Sequence, residues 1–339
     1  MNGALLGGLF GGAALLAGLY LTYAYVPKRR PPVLNASVAQ DSLTLGGHSR
    51  TFMAVIPDQL QPGAPLLLVF HGSMQNGQAI RESLGYTFDR LAVQHGFVVV
   101  YPDAYKGAWH DCRTAADFPA RRENIDDVGF ARALIAQFRD SHQIDPAQVY
   151  AAGYSNGGQM IFRLAAEAAG EFAGLAAIAA TQPTEDNFAC AAPSHGVPML
   201  LISGTRDPIV PYGGGMISLF GMQPRGTARS FADTARFYAE CNGISAAPTK
   251  HSWPHTGTLG KTTVTASSYQ QAERPPVTAY TVQGGGHVVP GPASAFPRLV
   301  GRINRELDAP TVIWDFFAGW PVKAPSTSET SEGIRKSLT

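Results

Sequence analysis

Apolar residues along the chain follow two rhythms. Leu66–Phe70 and Phe97–Tyr101 are unbroken apolar runs, the pattern of strands buried on both faces. Leu43, Leu45 and the stretch Thr51–Ile56 alternate, as a half-buried strand does. Between and after them apolar residues recur at helical spacing. This predicts a helix over Ile80–His95, and another after Asn124 carrying Val128, Ala131, Ile135 and Phe138, with Asn124 as its cap. The sequence then predicts strand Val149–Ala152, helix Asn156–Ala169, strands Leu175–Ala180 and Met199–Ser203, helix Ser230–Cys241, a strand near Val277–Val282 and a last helix over Val312–Ala318. Strands alternating with helices predict an α/β fold, with a mostly parallel central sheet and helices on both faces. No internal repeat interrupts the series.

The N-terminus differs. Gly3–Val26 contains no charged residue, and about 24 residues at about 1.5 Å each would span a bilayer core of about 30 Å. Tyr20, Tyr23 and Tyr25 cluster at its end like an interfacial belt. A cleaved signal segment wants its positive charges first. Here Lys28, Arg29 and Arg30 follow the run, so a membrane anchor fits better than a cleaved signal. The division expected is an anchor or signal segment over 1–26, a Pro-containing linker over 27–40, one catalytic domain over 41–320 and a disordered polar tail over 321–339.

Composition excludes some functions. Of 339 residues 45% are hydrophobic and 15% charged, so a large core is available. Lys plus Arg number 26 against 25 Asp plus Glu, a net charge of +1 that makes no nucleic-acid footprint. The 37 glycines and 25 prolines fit long loops around a compact sheet. The three cysteines have no metal-ligand spacing. In an exported protein a Cys112–Cys190 disulfide is expected, because both lie in loops shortly after a predicted strand.

The chemistry is carried by Gly153-Tyr154-Ser155-Asn156-Gly157, which fits G-x-S-x-G between a predicted strand and a predicted helix. That context lifts a serine above a sheet edge on a tight turn. Such a serine needs a base, and the base needs an orienting acid. Asp207 follows the strand Met199–Ser203 and is the expected acid; Asp186 and Asp233 fit less well. His287 follows Val277–Val282 and three glycines, and is preferred as the base over His251 and His255. The expected oxyanion donors are the backbone N–H groups of Asn156 and of Ser73, which follows His71-Gly72 after a buried strand. No metal or cofactor is needed.

These motifs resemble the polyhydroxybutyrate depolymerase-like and feruloyl or acetylxylan esterases of the α/β-hydrolase superfamily. The resemblance is carried by His71-Gly72-Ser73 with Gln75, Tyr101-Pro102-Asp103 with Trp109, Asp126–Phe130, Gly153–Gly158, Gly204–Tyr212 and Gly285-Gly286-His287. It implies an extracellular serine esterase acting on short polyesters (hydroxyalkanoate oligomers) or on feruloyl and acetyl esters. Ser155, Asp207 and His287 would form its triad, and Trp109, with Tyr154, His71 and Tyr212, would contact substrate. The positive-inside rule instead puts Lys28–Arg30, and the domain behind them, in the cytoplasm; the sequence leaves that conflict open. In this family a tryptophan usually precedes Pro-Gly after the histidine, but here Val288-Val289 stands before Pro290-Gly291. The apolar insertion Gly213–Gly226 reads equally as a lid or as a surface loop. A peptidase or acyltransferase on the same fold, and a catalytically silent membrane-tethered binding module, are the rival functions.

Overall fold

A computed structural model describes residues 18–257 and 260–320. Twelve strands are present among them: β1 Ala36–Leu45, β2 His48–Pro57, β3 Leu66–Phe70, β4 Val98–Pro102, β5 Val149–Tyr154, β6 Gly174–Ile178, β7 Met199–Gly204, β8 Gly215–Met216, β9 Thr227–Ala228, β10 Thr249–Ser252, β11 Thr263–Tyr269 and β12 Val277–Gln283. The helices are α1 Gly77–Ser83, α2 Thr87–His95, the single turn α3 Pro119–Arg122, α4 Asp127–His142, α5 Asn156–Glu167, α6 Phe231–Cys241 and α7 Ala309–Ala318.

Ten strands form one sheet in the order β1-β2-β4-β3-β5-β6-β7-β12-β11-β10. From β4 to β12 every pairing is parallel. Antiparallel pairs close both edges. Alternation along β3 shows why its run is wholly apolar. Leu66, Leu68 and Phe70 face one core with α4, α5 and α6, while Leu67 and Val69 face a second core with α1, α2 and α7. Neither face of a parallel central strand meets water.

Several elements depart from the sequence-based expectation. The helix expected over 80–95 is two helices, broken where Gly85 and Tyr86 take φ of 60° and 61°. A Cβ on Gly85 would lie 2.4 Å from the Ala293 carbonyl oxygen, so the chain turns there under a passing loop. Asp126, not Asn124, caps α4: its carboxylate accepts the Gly129 N–H at 2.7 Å. β1 starts at Ala36, inside the stretch expected to be linker, and pairs with β2 throughout. β10 and β11 escaped the hydrophobic pattern. β10 is exposed along its length, and β11 buries only Val264 and Ala266 among Thr and Ser.

Cys112 and Cys190 are joined by a disulfide, as expected, 78 residues apart in sequence. Closing a loop of that length removes unfolded-state entropy worth about 4 kcal/mol. Cys241 is free and half-buried. The expected anchor falls largely on residues 3–17, and the expected tail on 321–339; both lie outside the described residues. No helix among the described residues is long and apolar enough to cross a membrane. The stretch after the apolar run is tied down: Tyr86 Oη donates to the Arg29 carbonyl at 3.0 Å, and the Arg29 guanidinium donates to the Ala293 carbonyl.

Candidate active site

The parallel centre of the sheet points all its C-terminal ends one way, and Ser73, Ser155, Asp207 and His287 lie on loops following strands at that edge. Ser155 bridges β5 and α5 with φ 56° and ψ −116°. A non-glycine residue held there costs about 1–3 kcal/mol. The turn is fixed by Ser155 N–H donating to the Ile178 carbonyl at 2.8 Å and Gln159 N–H donating to the Ser155 carbonyl at 3.0 Å. The flanking glycines are steric necessities. A Cβ on Gly153 would lie 2.2 Å from the Gly157 carbonyl oxygen, and one on Gly157 would lie 2.2 Å from that of Phe70.

β7 and β12 are neighbours, with Gly204 beside Val282, so the loops that follow them lie side by side. They bring Asp207 Oδ2 to 2.7 Å from His287 Nδ1, and His287 Nε2 lies 2.8 Å from Ser155 Oγ. An ionised carboxylate only accepts, so Nδ1 carries the proton and Nε2 accepts from the serine hydroxyl. The other carboxylate oxygen of Asp207 accepts the N–H groups of Ile209 and Val210, both at 2.8 Å. Behind His287, its N–H donates to the Val300 carbonyl at 2.7 Å. The rivals stand elsewhere. His251 lies on the edge strand β10, and His255 is held by Glu306 at 2.8 Å. Asp233 accepts from Ser230 at the start of α6, and Asp186 is exposed.

Ser73 follows β3, which pairs with β5, so its loop flanks the turn at Ser155. Among the described residues no acceptor is paired with the backbone N–H of Ser73 or of Asn156. The Asn156 side chain has a separate task that the sequence did not signal. It accepts the Trp109 N–H at 2.8 Å and donates to Asp111 at 2.7 Å. Asp111 is in turn clasped by Arg113 through two contacts, at 3.0 and 2.5 Å. This buried network fastens the 109–113 loop to the first residue of α5.

Of the residues expected to contact substrate, Trp109, Tyr154 and His71 are buried in this scaffold, and Tyr212 is half-buried. Trp109 is 0% exposed, packs edge-on against Phe70 and donates from its indole to the His71 carbonyl at 2.9 Å. Tyr154 is buried and donates to the His287 carbonyl at 2.9 Å, so it braces the histidine loop. Tyr212 shares a 2.8 Å hydrogen bond with Thr281 and packs against Phe231. His71 is wholly buried, and its Nε2 accepts the Ala104 N–H at 3.0 Å while Nδ1 faces the Gly72 carbonyl at 2.7 Å. Sequence spacing places such residues near the site but cannot tell whether a ring faces the cleft or the core.

Burial pushes the His71 pKa down to about 4, against smaller opposing contributions from the Gly72 carbonyl and Asp103. The folded protein therefore refuses a proton that the unfolded chain accepts below its ordinary value of 6.5. Stability from this group is complete above pH 6.5 and falls as pH drops towards 4, by up to about 3 kcal/mol. Urea unfolding of wild type and His71→Gln at pH 7 and 4.5 checks this. The gap in stability between the two proteins is expected to shift by about 2–3 kcal/mol in favour of the mutant at the lower pH; an unchanged gap would show that His71 is not the acid-sensitive group.

The chain is similar to known hydrolases over much of its length. Residues 52–216 match the Dienelactone hydrolase family. Over 304 residues the chain is 28% identical to "Putative esterase NocK" of Nocardia uniformis subsp. tsuyamanensis, covering 87% of each protein. It is 30% identical to Feruloyl esterase B of Piromyces equi over 55% of this chain, spanning 34% of that protein. The structure of an acetyl xylan esterase from Aspergillus awamori superposes with a TM-score of 0.52 at 15% identity, covering 74% of this chain and 94% of that one. The chain is an α/β-hydrolase esterase.

The insertion 213–226 packs beside the loop that carries Asp207. It is neither a helix nor an unstructured loop, but a short ribbon in which β8 pairs with β9. Ile217 is buried with Ile209 and Val210, next to Asp207, whereas Met216, Phe220 and Met222 are exposed. From this ribbon Arg225 donates to Ser73 Oγ at 3.4 Å.

Proposed function

We propose that the esterase works by acyl transfer through Ser155. The observation that carries this reading is the continuous hydrogen-bonded series Asp207–His287–Ser155. Ser155 Oγ attacks the ester carbonyl carbon while its proton passes to His287 Nε2. Asp207 holds the imidazole in the receptive tautomer and stabilises the imidazolium. The N–H groups of Ser73 and Asn156 receive the oxyanion. The C–O bond to the alcohol then breaks, and the alcohol leaves with the proton from His287. Water, deprotonated by His287, attacks the acyl-Ser155 ester, releasing the acid and restoring the serine hydroxyl.

The substrates we propose are esters of small acyl groups, either hydroxyalkanoate oligomers or feruloyl and acetyl esters. The disulfide supports an exported protein, since such bonds persist in oxidising compartments. In that reading the apolar run 3–26 is the segment that would hold the enzyme at a membrane.

The test uses an alkyl fluorophosphonate together with p-nitrophenyl acetate, p-nitrophenyl butyrate, methyl ferulate and a peptide amide. The expected result is one phosphonyl group on the peptide containing Ser155, loss of all ester turnover on labelling, and no cleavage of the amide. Labelling elsewhere, or amide cleavage outrunning ester cleavage, would overturn the proposal.

A further inference from the structure

Arg225 is half-buried and has no carboxylate partner among the described residues. Its Nη1 donates to Ser73 Oγ at 3.4 Å, and its guanidinium lies 4.7 Å above the centre of the Phe118 ring. The acidic group that acts on it, Asp111, is already committed to Arg113 and Asn156. Two guanidinium groups against one carboxylate leave a net positive charge at the lip of the loop that carries Ser73. Burial and the neighbouring Arg113 lower the Arg225 pKa, the direction expected of a cation without a counter-ion. Arginine nonetheless stays charged, and a partly desolvated charge without a partner is costly unless something anionic meets it.

We infer that Arg225 receives an anionic group of the substrate, so that the esterase prefers esters carrying a free carboxylate a few bonds from the scissile carbonyl. This rests on the acyl-transfer reading above and narrows it. The acid-terminated end of a hydroxyacid oligomer carries such a group; feruloyl and acetyl esters of neutral sugars do not. Phe118 offers the carbon skeleton an apolar face beside the guanidinium. A planar fork on a ring is the arrangement that recognises a carboxylate through two donors.

The experiment compares kcat/KM for the mono-p-nitrophenyl ester of glutaric acid with that for p-nitrophenyl valerate, which matches it in chain length but ends in a methyl group. Wild type, Arg225→Gln and Arg225→Lys are measured beside Arg132→Gln, which loses an exposed ion pair with Glu171 on the outer face of α4. The ratio of acidic to neutral ester is expected to fall about 10- to 100-fold in Arg225→Gln, the range of one charge-assisted hydrogen bond. It falls less in Arg225→Lys and is unchanged in Arg132→Gln. In wild type the same ratio falls with added salt, a readout that survives even if the variant does not fold. The acid-terminated dimer of 3-hydroxybutyrate, measured against its methyl ester, places the anion on the alcohol side instead of the acyl side. A ratio unmoved by Arg225→Gln for both substrate pairs, or one unmoved by salt, overturns the inference. So does an equal loss on acidic and neutral esters, which would make Arg225 a brace for the Ser73 loop. Hydrolysis of neutral esters alone by wild type defeats only this inference, whereas hydrolysis of neither ester defeats the acyl-transfer mechanism as well.

Discussion

Ser155→Ala is expected to lower kcat on p-nitrophenyl butyrate by at least about 10,000-fold while leaving the fold intact. In the proposed mechanism the loss is large because the reaction would pass through a bond to Oγ, and no other hydroxyl is paired with His287 Nε2 among the described hydrogen bonds. The fold survives because alanine keeps the Cβ and so keeps the strain at φ 56° without adding to it. The bonds that fix the turn, from Ser155 N–H to Ile178 and from Gln159 N–H to Ser155, are made by backbone and persist. The melting temperature should therefore move little. The residual rate should still exceed that of buffer, because the N–H groups of Ser73 and Asn156 can polarise a bound carbonyl without a nucleophile. Ser155→Gly offers a contrast: it should be equally inactive but more stable, since glycine accepts positive φ freely. A Ser155→Ala enzyme retaining more than about 1% of wild-type kcat would falsify the assignment of the nucleophile.

What the sequence disclosed, and what it hid, follows from the range of each interaction. Ser155 was legible because the turn that presents it is local. Gly153 and Gly157 are dictated by carbonyls within the same strand–turn–helix unit and by the adjacent β3. Asp207 and His287 are 80 residues apart, yet each follows a strand with a clear apolar signature, and the order of elements alone puts those strands' ends at one edge. The disulfide shows in the sequence only as two cysteines in loops shortly after predicted strands, although it closes 78 residues.

The hidden part consists of polar contacts between loops. Nothing local distinguishes Asp111, clasped by Arg113 and tied to Asn156, from a surface acid. Asp103 and Asp127 likewise looked like motif residues with an open role. Asp103 accepts from Thr51 at 2.6 Å and from the Gly77 N–H at 2.7 Å. Asp127 is buried with Arg50, and their side chains meet at 2.6 Å. Both hold the frame on which the site is built. Trp109 shows the same limit from the other side, since a large aromatic beside a catalytic loop reads as a pocket wall when its true neighbours are Phe70 and His71. Arg225 was invisible because its meaning depends on which carboxylates are already taken, a count that only the three-dimensional arrangement supplies.

Asp207→Asn should cost about 1,000- to 10,000-fold in kcat with little change in stability, and the surrounding backbone explains why so conservative a change is so damaging. Asparagine keeps the shape of aspartate but has one oxygen and one NH₂ group where aspartate has two oxygens. The Ile209 and Val210 N–H groups both point at one oxygen, each at 2.8 Å. The amide must turn its own oxygen towards them, because an NH₂ there would face two donors. That leaves the NH₂ group facing His287 Nδ1, which must then become an acceptor. The ring proton moves to Nε2, where it points at Ser155 Oγ 2.8 Å away. The histidine now offers the serine a donor when it needs an acceptor, so the base is lost although every heavy atom stays in place. KM should change less than kcat, because substrate contacts are untouched. Asp207→Ala should be comparably slow but measurably less stable, since it also strips the two backbone N–H groups of their acceptor. If Asp207→Asn instead retained activity within about ten-fold of wild type, the carboxylate would not be what orients His287. The order of strands would then have placed a structural aspartate where an acid was expected.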